Sequence, residues 1–143
     1  MSLSFHSFQP ADFEGAIDIF MSNTPKFLDI SEREELQEYL KNRAADSYWV
    51  LKNDAGIALA SGGIRLISPH EGGLAWGMVR ADHHGKNLGS LLLTHRLLKL
   101  MEMPAIKEIR LDTSQHTSGF FAKYGFRAWD KITESEYKES TAG

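Results

Sequence analysis

The 143-residue sequence contains no cysteine and only four prolines. Without cysteine the chain has neither a disulfide framework nor a thiol nucleophile, which fits a reducing compartment. It also contains no apolar run near the roughly 18 residues that a membrane-spanning helix needs. Residues 1–13 lack the basic region and the apolar stretch of a secretory signal. The sequence therefore predicts a cytoplasmic protein with no membrane partner.

An excess of positive charge is also missing. Lysine and arginine together number 16, and aspartate and glutamate number 19, which gives a formal net charge of −3. Proteins whose main partner is nucleic acid usually carry a basic surface, because the neutralisation of phosphates supplies most of their affinity. The composition therefore argues against a nucleic-acid partner. It still allows a small anionic ligand that is held by local charges and backbone donors.

What the sequence does contain is the pattern of one mixed α/β domain over residues 1–143. Hydrophobic residues make up 42% of the chain, enough for a core, and no linker or repeat divides it. Periodicity and turn residues predict the order β-α-α-β-β-β-α-β-α-β. Ser31 and Glu34 have the spacing of a capping box at the second helix. The predicted strands are residues 3–8, 48–52, 57–67, 73–80, 108–113 and 126–132, and the predicted helices begin at Pro10, Ser31 and Leu88 and near Phe120.

The most informative segment joins a predicted strand to an amphipathic helix. It reads Val79-Arg80-Ala81-Asp82-His83-His84-Gly85-Lys86-Asn87-Leu88-Gly89-Ser90. Backbone N–H groups at a helix start suit an anion such as a diphosphate, and each hydrogen bond to a charged oxygen contributes roughly 1.5–3 kcal/mol. Gly85 and Gly89 let the backbone approach a ligand, and Asn87 tolerates a positive φ. Lys86 adds a positive charge. Taken alone, the segment fits an ordinary helix start equally well.

This segment resembles motif A of the GCN5-related N-acetyltransferase (GNAT) family, which reads Arg/Gln-x-x-Gly-x-Gly/Ala after a strand that ends in Val. His84 stands at the Arg/Gln position, Asn87 at the first Gly and Gly89 at the last, so two of the three signature positions differ. A second match, Phe121-Ala122-Lys123-Tyr124-Gly125-Phe126, is similar to the family ending Tyr-x-x-x-Gly-Phe. The resemblance covers nearly the whole chain. It implies an α/β GNAT-like fold with a mixed central sheet of about six or seven strands flanked by about four helices.

The resemblance also implies an acyltransferase that takes an acetyl group from acetyl-CoA and passes it to an amine by direct attack. A bulge at Gly77 would free backbone groups for the pantetheine arm, although this glycine could instead make room for Trp76. The diphosphate would lie on the N–H groups of residues 85–90, and Ser114 stands where many members carry a contacting Asn. The cofactor-binding residues so implied are Met78, Val79, Gly85, Lys86, Asn87, Leu88, Gly89, Ser90 and Ser114.

The catalytic groups depart from the family pattern. The usual tyrosine acid is Phe121 here, and Tyr124 is the nearest hydroxyl, one helical turn away. Members with a carboxylate on the fourth strand place it where Gly73 stands. Glu71 would share that face if the strand began early enough. Glu71 and Tyr124 are therefore the catalytic candidates, with a solvated turn residue and a packed tyrosine as the respective alternatives.

Four further interpretations follow from individual residues or short segments. Asp82 and its two neighbouring histidines lack the spacing of a metal site, so no metal is expected. His95 lies on the apolar face of its helix and is predicted to pack in the core. Because Phe121 cannot donate a proton, the second interpretation of function is a non-catalytic acyl-CoA-binding module. No full strand follows Tyr137, and the sheet edge that this leaves exposed favours a homodimer.

Overall fold

A computed structural model of the chain describes residues 2–110, which form a five-stranded sheet with α-helices on both faces. The strand order follows the chain; the first four strands are antiparallel and the fifth is parallel to the fourth. This confirms the predicted mixed α/β sheet, while the strand and helix predicted beyond residue 113 lie outside the described residues. The strands are β1 Ser4–Ser7, β2 Tyr48–Lys52, β3 Ala58–Ser68, β4 Glu71–Val79 and β5 Glu108–Arg110, and the helices are α1 Phe13–Ser22, α2 Arg33–Asn42 and α3 Leu88–Met101.

Each face of the sheet carries its own core, because successive side chains of a strand point to opposite faces. In β2, Val50 packs in the cluster beneath α1 and α2, whereas its neighbour Leu51 packs in the cluster beneath α3. Burial of a side chain of this size contributes about 1.5–3 kcal/mol, so both layers of helices are held by apolar contacts. Within residues 2–110, no helix is both long and apolar enough to cross a bilayer.

The capping box predicted from Ser31 and Glu34 is wrong; the observed box lies two residues earlier and caps the 3-10 turn Ile30–Glu32 that leads into α2. Asp29 has extended backbone, and its Oδ1 accepts a hydrogen bond from the N–H of Ser31 at 3.0 Å. Glu32 completes the box by accepting from the N–H of Asp29 at 3.3 Å. The Ser31 N–H also holds the pKa of Asp29 below its ordinary value. A carboxylate on extended backbone is the better cap, because a cap residue needs non-helical backbone.

β4 contains a β-bulge at Trp76 and Gly77. Between the paired positions Ala75 and Met78, two residues of β4 face the single Gly62 of β3. Trp76 takes up the distortion with a φ of +47°. The bulge predicted at Gly77 is therefore confirmed.

His95 of α3 packs between two aromatic rings of the sheet, as predicted for a core residue. Phe5 stacks on it with ring centroids 4.0 Å apart, and Trp49 meets it edge-on at 5.2 Å. The Nε2 atom is buried without a hydrogen-bond partner among the described residues. Burial, followed by the positive charges of Lys99 and Arg96, lowers the pKa of His95 below 6.5. The neutral ring is therefore the form that the fold stabilises.

We expect the free energy of unfolding to fall as the pH drops from about 7 to about 5, and His95→Phe to reduce that dependence. The unfolded chain, with its ordinary histidine pKa, takes up a proton before the folded chain does, so acid favours unfolding. Phenylalanine keeps the ring stacking and does not titrate. Urea unfolding at several pH values measures the slope, and exposed His6→Phe is the matched control. Equal slopes for the native chain and His95→Phe would contradict the prediction.

Candidate functional site

The connection between β4 and α3 is the segment that the sequence singled out as an anion-binding turn. A 3-10 turn at Ala81–His83 follows β4, and α3 begins at Leu88. Gly85 has a φ of +81°, and Asn87, the N-cap of α3, has a φ of +65°. The side chain of Asn87 makes no capping hydrogen bond to the helix start. The first N–H groups of α3 therefore point out of the helix without an intrahelical acceptor, which is the arrangement that binds anions.

The second half of the turn is open to solvent and is anchored where it enters α3. Leu88 is buried in the cluster beneath α3 and fixes where the helix starts. Gly85 is exposed, and a side-chain carbon added there would meet nothing within 4 Å. The charge of Lys86 adds to the positive end of the helix dipole. The exposed members of the predicted set are Gly85, Lys86, Asn87 and Ser90, and Gly89 is half-buried.

The last residues of β4 present their backbone to two different edges. The N–H of Arg80 donates to the carbonyl of Leu59 on β3 at 2.8 Å, so the polar groups of Arg80 face β3. Because these groups alternate along a strand, those of Val79 face the opposite edge and those of Met78 face β3. Of the two predicted pantetheine contacts, only Val79 therefore presents its backbone on the edge away from β3.

Two side chains converge on the carbonyl of Val79. Asn23 donates to it from Nδ2 at 2.9 Å, and His84 donates from Nε2 at the same distance. The Nδ2 of Asn23 also donates to the carbonyl of Ile19 at 2.8 Å, which fixes the orientation of the amide. Asn23 is only 2% exposed. The end of β4 is thus fastened to α1 and to its own following turn.

The end of α1 holds the turn through a second contact. The Oγ of Ser22 accepts a hydrogen bond from the N–H of Ala81 at 3.1 Å. Sequence reasoning missed both Ser22 and Asn23 as site residues. An asparagine two residues before Pro25 was the available signal, since short polar side chains at helix ends often bond backbone groups.

His84 occupies the Arg/Gln position of the motif and reaches back to the strand instead of outward. Its half-buried ring packs edge-on against Phe27, with centroids 4.9 Å apart. Phe27 lies in the segment between α1 and α2. His84 therefore joins three parts of the site, namely the turn, the end of β4 and the α1–α2 connection.

Glu71 lies at the other end of β4. The strand begins at Glu71, two residues earlier than predicted, so Glu71 and Gly73 share a face of the sheet. The carboxylate is 13% exposed and lies 3.1 Å from Nε of Arg110, close enough for an ion pair although not aligned as a hydrogen bond. Trp76 is five residues further on, about 16 Å along an extended strand. The other predicted contacts, Tyr124 and Ser114, lie outside the described residues.

Charged residues beside the turn pair with one another. Nδ1 of His83 lies 2.9 Å from the carboxylate of Asp82, and Nε of Arg80 lies 3.3 Å from it. These contacts, that of His83 first, hold the pKa of Asp82 below its ordinary value. Within residues 2–110, no group of three or more histidine or acidic side chains is placed to hold a metal ion.

The sequence matches a family model described as an acetyltransferase (GNAT) domain over residues 14–139. A comparison with curated proteins gives no significant match.

Solved structures share this fold at low identity. A GNAT-family acetyltransferase from Staphylococcus aureus Mu50 is 16% identical, with a TM-score of 0.67 over 94% of this chain and 91% of that one. A predicted acetyltransferase with acetyl-CoA from Clostridium acetobutylicum is 17% identical, with a TM-score of 0.62 over 93% and 95%. A third, from Pyrococcus horikoshii, is 18% identical with a TM-score of 0.65 over 86% of this chain, which spans only 42% of that one.

Backbone conformation at Asn87 gives a test of the turn. We expect Asn87→Ala to lower the free energy of unfolding by about 1 kcal/mol, because a left-handed backbone is strained for residues with a plain Cβ. Asn87→Gly is the matched control and should be close to neutral, since glycine adopts this φ without strain. Urea unfolding measures both. A larger loss for Asn87→Gly than for Asn87→Ala would show that backbone strain does not govern this position.

Proposed function

Since the chain belongs to the GNAT family of N-acetyltransferases, we propose that acetyl-CoA is its acyl donor and that an amine is the acceptor. The observation that carries the proposal is the start of α3, where the side chain of the N-cap residue Asn87 makes no capping hydrogen bond. This helix start lies beside a strand end with outward-facing backbone groups. This pairing suits a ligand with an anionic diphosphate and an extended amide chain, and coenzyme A has both. A solved structure of the same fold contains acetyl-CoA.

The diphosphate is proposed to lie on the N–H groups of residues 85–90. Leu88, Gly89 and Ser90 supply the first N–H groups of the helix, which have no intrahelical acceptors. The positive φ at Gly85 and at Asn87 turns the chain so that the backbone, rather than side chains, faces the ligand. Lys86 is exposed and adds charge. Several hydrogen bonds to a charged group, at roughly 1.5–3 kcal/mol each, outweigh the helix dipole.

The pantetheine arm is proposed to run along the edge of β4 that faces away from β3. An extended ligand there binds as an added strand would, through backbone N–H and carbonyl groups. The alternation of the strand favours Val79 over Met78 for this contact, because the backbone of Met78 faces β3. Ser114 stays a proposed contact from the neighbouring strand.

The proposed reaction is direct attack of a neutral amine on the thioester carbonyl. A C–N bond forms, the C–S bond breaks, the amine loses a proton and the thiolate of coenzyme A takes one up. The N–H of Val79, on the edge of β4 away from β3, is proposed to polarise the thioester carbonyl. Tyr124 as acid and Glu71 as base stay proposals. A thiol with a reference pKa of about 8.5 also leaves readily as a thiolate near neutral pH.

The acceptor is proposed to be a weakly basic amine. Deprotonation of a lysine-like amine, with a pKa of about 10.4, costs roughly 4–5 kcal/mol at pH 7, whereas a peptide α-amine near 7.7–8.0 costs about 1 kcal/mol. Glu71, the described candidate base, is engaged in an ion pair with Arg110. Because Arg110 favours the ionised, paired form of Glu71, an acceptor that is already partly neutral places the smallest demand on a base.

Calorimetric titration with acetyl-CoA tests the donor site. We expect binding by the native chain and a three- to tenfold weaker affinity for Lys86→Ala, since one surface charge near a phosphate contributes on the order of 1 kcal/mol. Lys107→Ala, at an exposed position just before β5, is the matched control and should bind normally. The absence of heat with the native chain, or equal losses for both variants, would defeat the proposed site.

Release of free thiol during incubation with acetyl-CoA and a panel of amines tests the acceptor. We expect the highest kcat/KM for amines of low pKa, with kcat/KM rising with pH as each amine loses its proton. A preference for high-pKa amines that stays flat down to a pH of about 6.5 would overturn the acceptor class. Binding of acetyl-CoA without turnover of any amine would instead support the non-catalytic module.

A further inference from the structure

Both hydrogen-bonding positions of the Val79 carbonyl are occupied by side chains. A backbone carbonyl has two lone pairs. At Val79 these accept Nδ2 of Asn23 and Nε2 of His84, each at 2.9 Å. No lone pair remains for a further donor on the edge of β4 that faces away from β3.

An extended ligand on that edge needs the same carbonyl. The next step rests on the proposed function, in which the pantetheine arm adds to β4 as a strand would. Such a strand donates its amide N–H to the carbonyl that faces it, and Val79 is the residue whose polar groups face that edge. Binding therefore requires one of the two side-chain donors to leave.

Burial decides which donor leaves. Asn23 is 2% exposed, and its Nδ2 also bonds the carbonyl of Ile19. If that amide left the Val79 carbonyl, a buried N–H group would lose its acceptor, which costs free energy. His84 is half-buried and lies outside any helix, immediately before Gly85 with its φ of +81°. Its ring can move into water, so breaking the hydrogen bond of His84 to the Val79 carbonyl costs less free energy than breaking that of Asn23.

We infer that in the free protein the imidazole of His84 occupies the hydrogen-bonding place of the pantetheine amide, and that coenzyme A displaces it from the Val79 carbonyl. Displacement also takes the ring away from Phe27, which it contacts at 4.9 Å. The motif histidine is thus an internal competitor of the acyl donor rather than a phosphate ligand.

Calorimetry of His84→Ala with two probes tests the inference. Coenzyme A carries the pantetheine arm, whereas 3′-phospho-ADP has the diphosphate without that arm. Removal of a competing hydrogen bond should tighten coenzyme A binding by roughly fivefold and leave 3′-phospho-ADP binding unchanged. His83→Ala is the matched control, because the neighbouring ring contacts Asp82 instead of Val79, and it should change neither affinity.

A long-range ¹H–¹⁵N spectrum of the histidine rings in the native chain gives a second readout. The hydrogen-bonded Nε2–H signal of His84 should be lost or shifted by coenzyme A and kept with 3′-phospho-ADP. Weaker binding of both probes by His84→Ala would make His84 a phosphate ligand and overturn the inference, as would an unchanged coenzyme A affinity or an unchanged ring signal. If the native chain binds no coenzyme A, the proposed function fails, and this inference fails with it.

Discussion

The rest of the site depends on which edge of β4 each residue turns its backbone N–H and carbonyl toward. The N–H of Ile64 bonds to the carbonyl of Ser47, so the polar groups of Gly63 face β4, and Ala75, its partner, faces β3 in turn. An uninterrupted strand from Ala75 would also turn the polar groups of Val79 toward β3. The extra residue of the bulge shifts this alternation by one position, so the N–H and carbonyl of Val79 face the opposite edge. One inserted residue thus converts a structural strand end into a surface that an extended ligand can use.

The strain of the bulge is offset by its surroundings. A left-handed residue that is not glycine costs on the order of 1–2 kcal/mol, and Trp76 has a φ of +47°. The hydroxyl of Tyr48 donates to the Trp76 carbonyl at 2.9 Å, and Trp76 is only 7% exposed. Phe20 of α1 meets the indole ring edge-on at 6.5 Å. The apolar core beneath α1 therefore maintains the backbone geometry on which the site relies.

Within residues 2–110, local sequence patterns predicted the elements, the turn before α3 and the bulge at Gly77, because each is encoded by residues next to one another. They could not choose between Asp29 with Glu32 and Ser31 with Glu34, which have identical spacing; the choice depends on which residue the fold holds extended. The contact of Asn23 with the Val79 carbonyl joins residues 56 positions apart, beyond the reach of any local pattern. The homodimer and the cytoplasmic location stay predictions.

The distance between Glu71 and the proposed thioester limits what Glu71 can do as a general base. A general base acts within hydrogen-bond reach, about 3 Å, or through one water molecule. The bulge at Trp76 lies about 16 Å along the strand from Glu71. Proton transfer from an amine that attacks a thioester near the bulge would therefore need a chain of waters or a long acceptor. The contact that Glu71 makes with its neighbour has a structural role. Within residues 2–110, β4 and β5 pair at three positions, from Glu71 to Gly73, and the ion pair with Arg110 spans that same stretch. Glu71 is therefore placed to hold β4 and β5 together at the end of β4 opposite Val79.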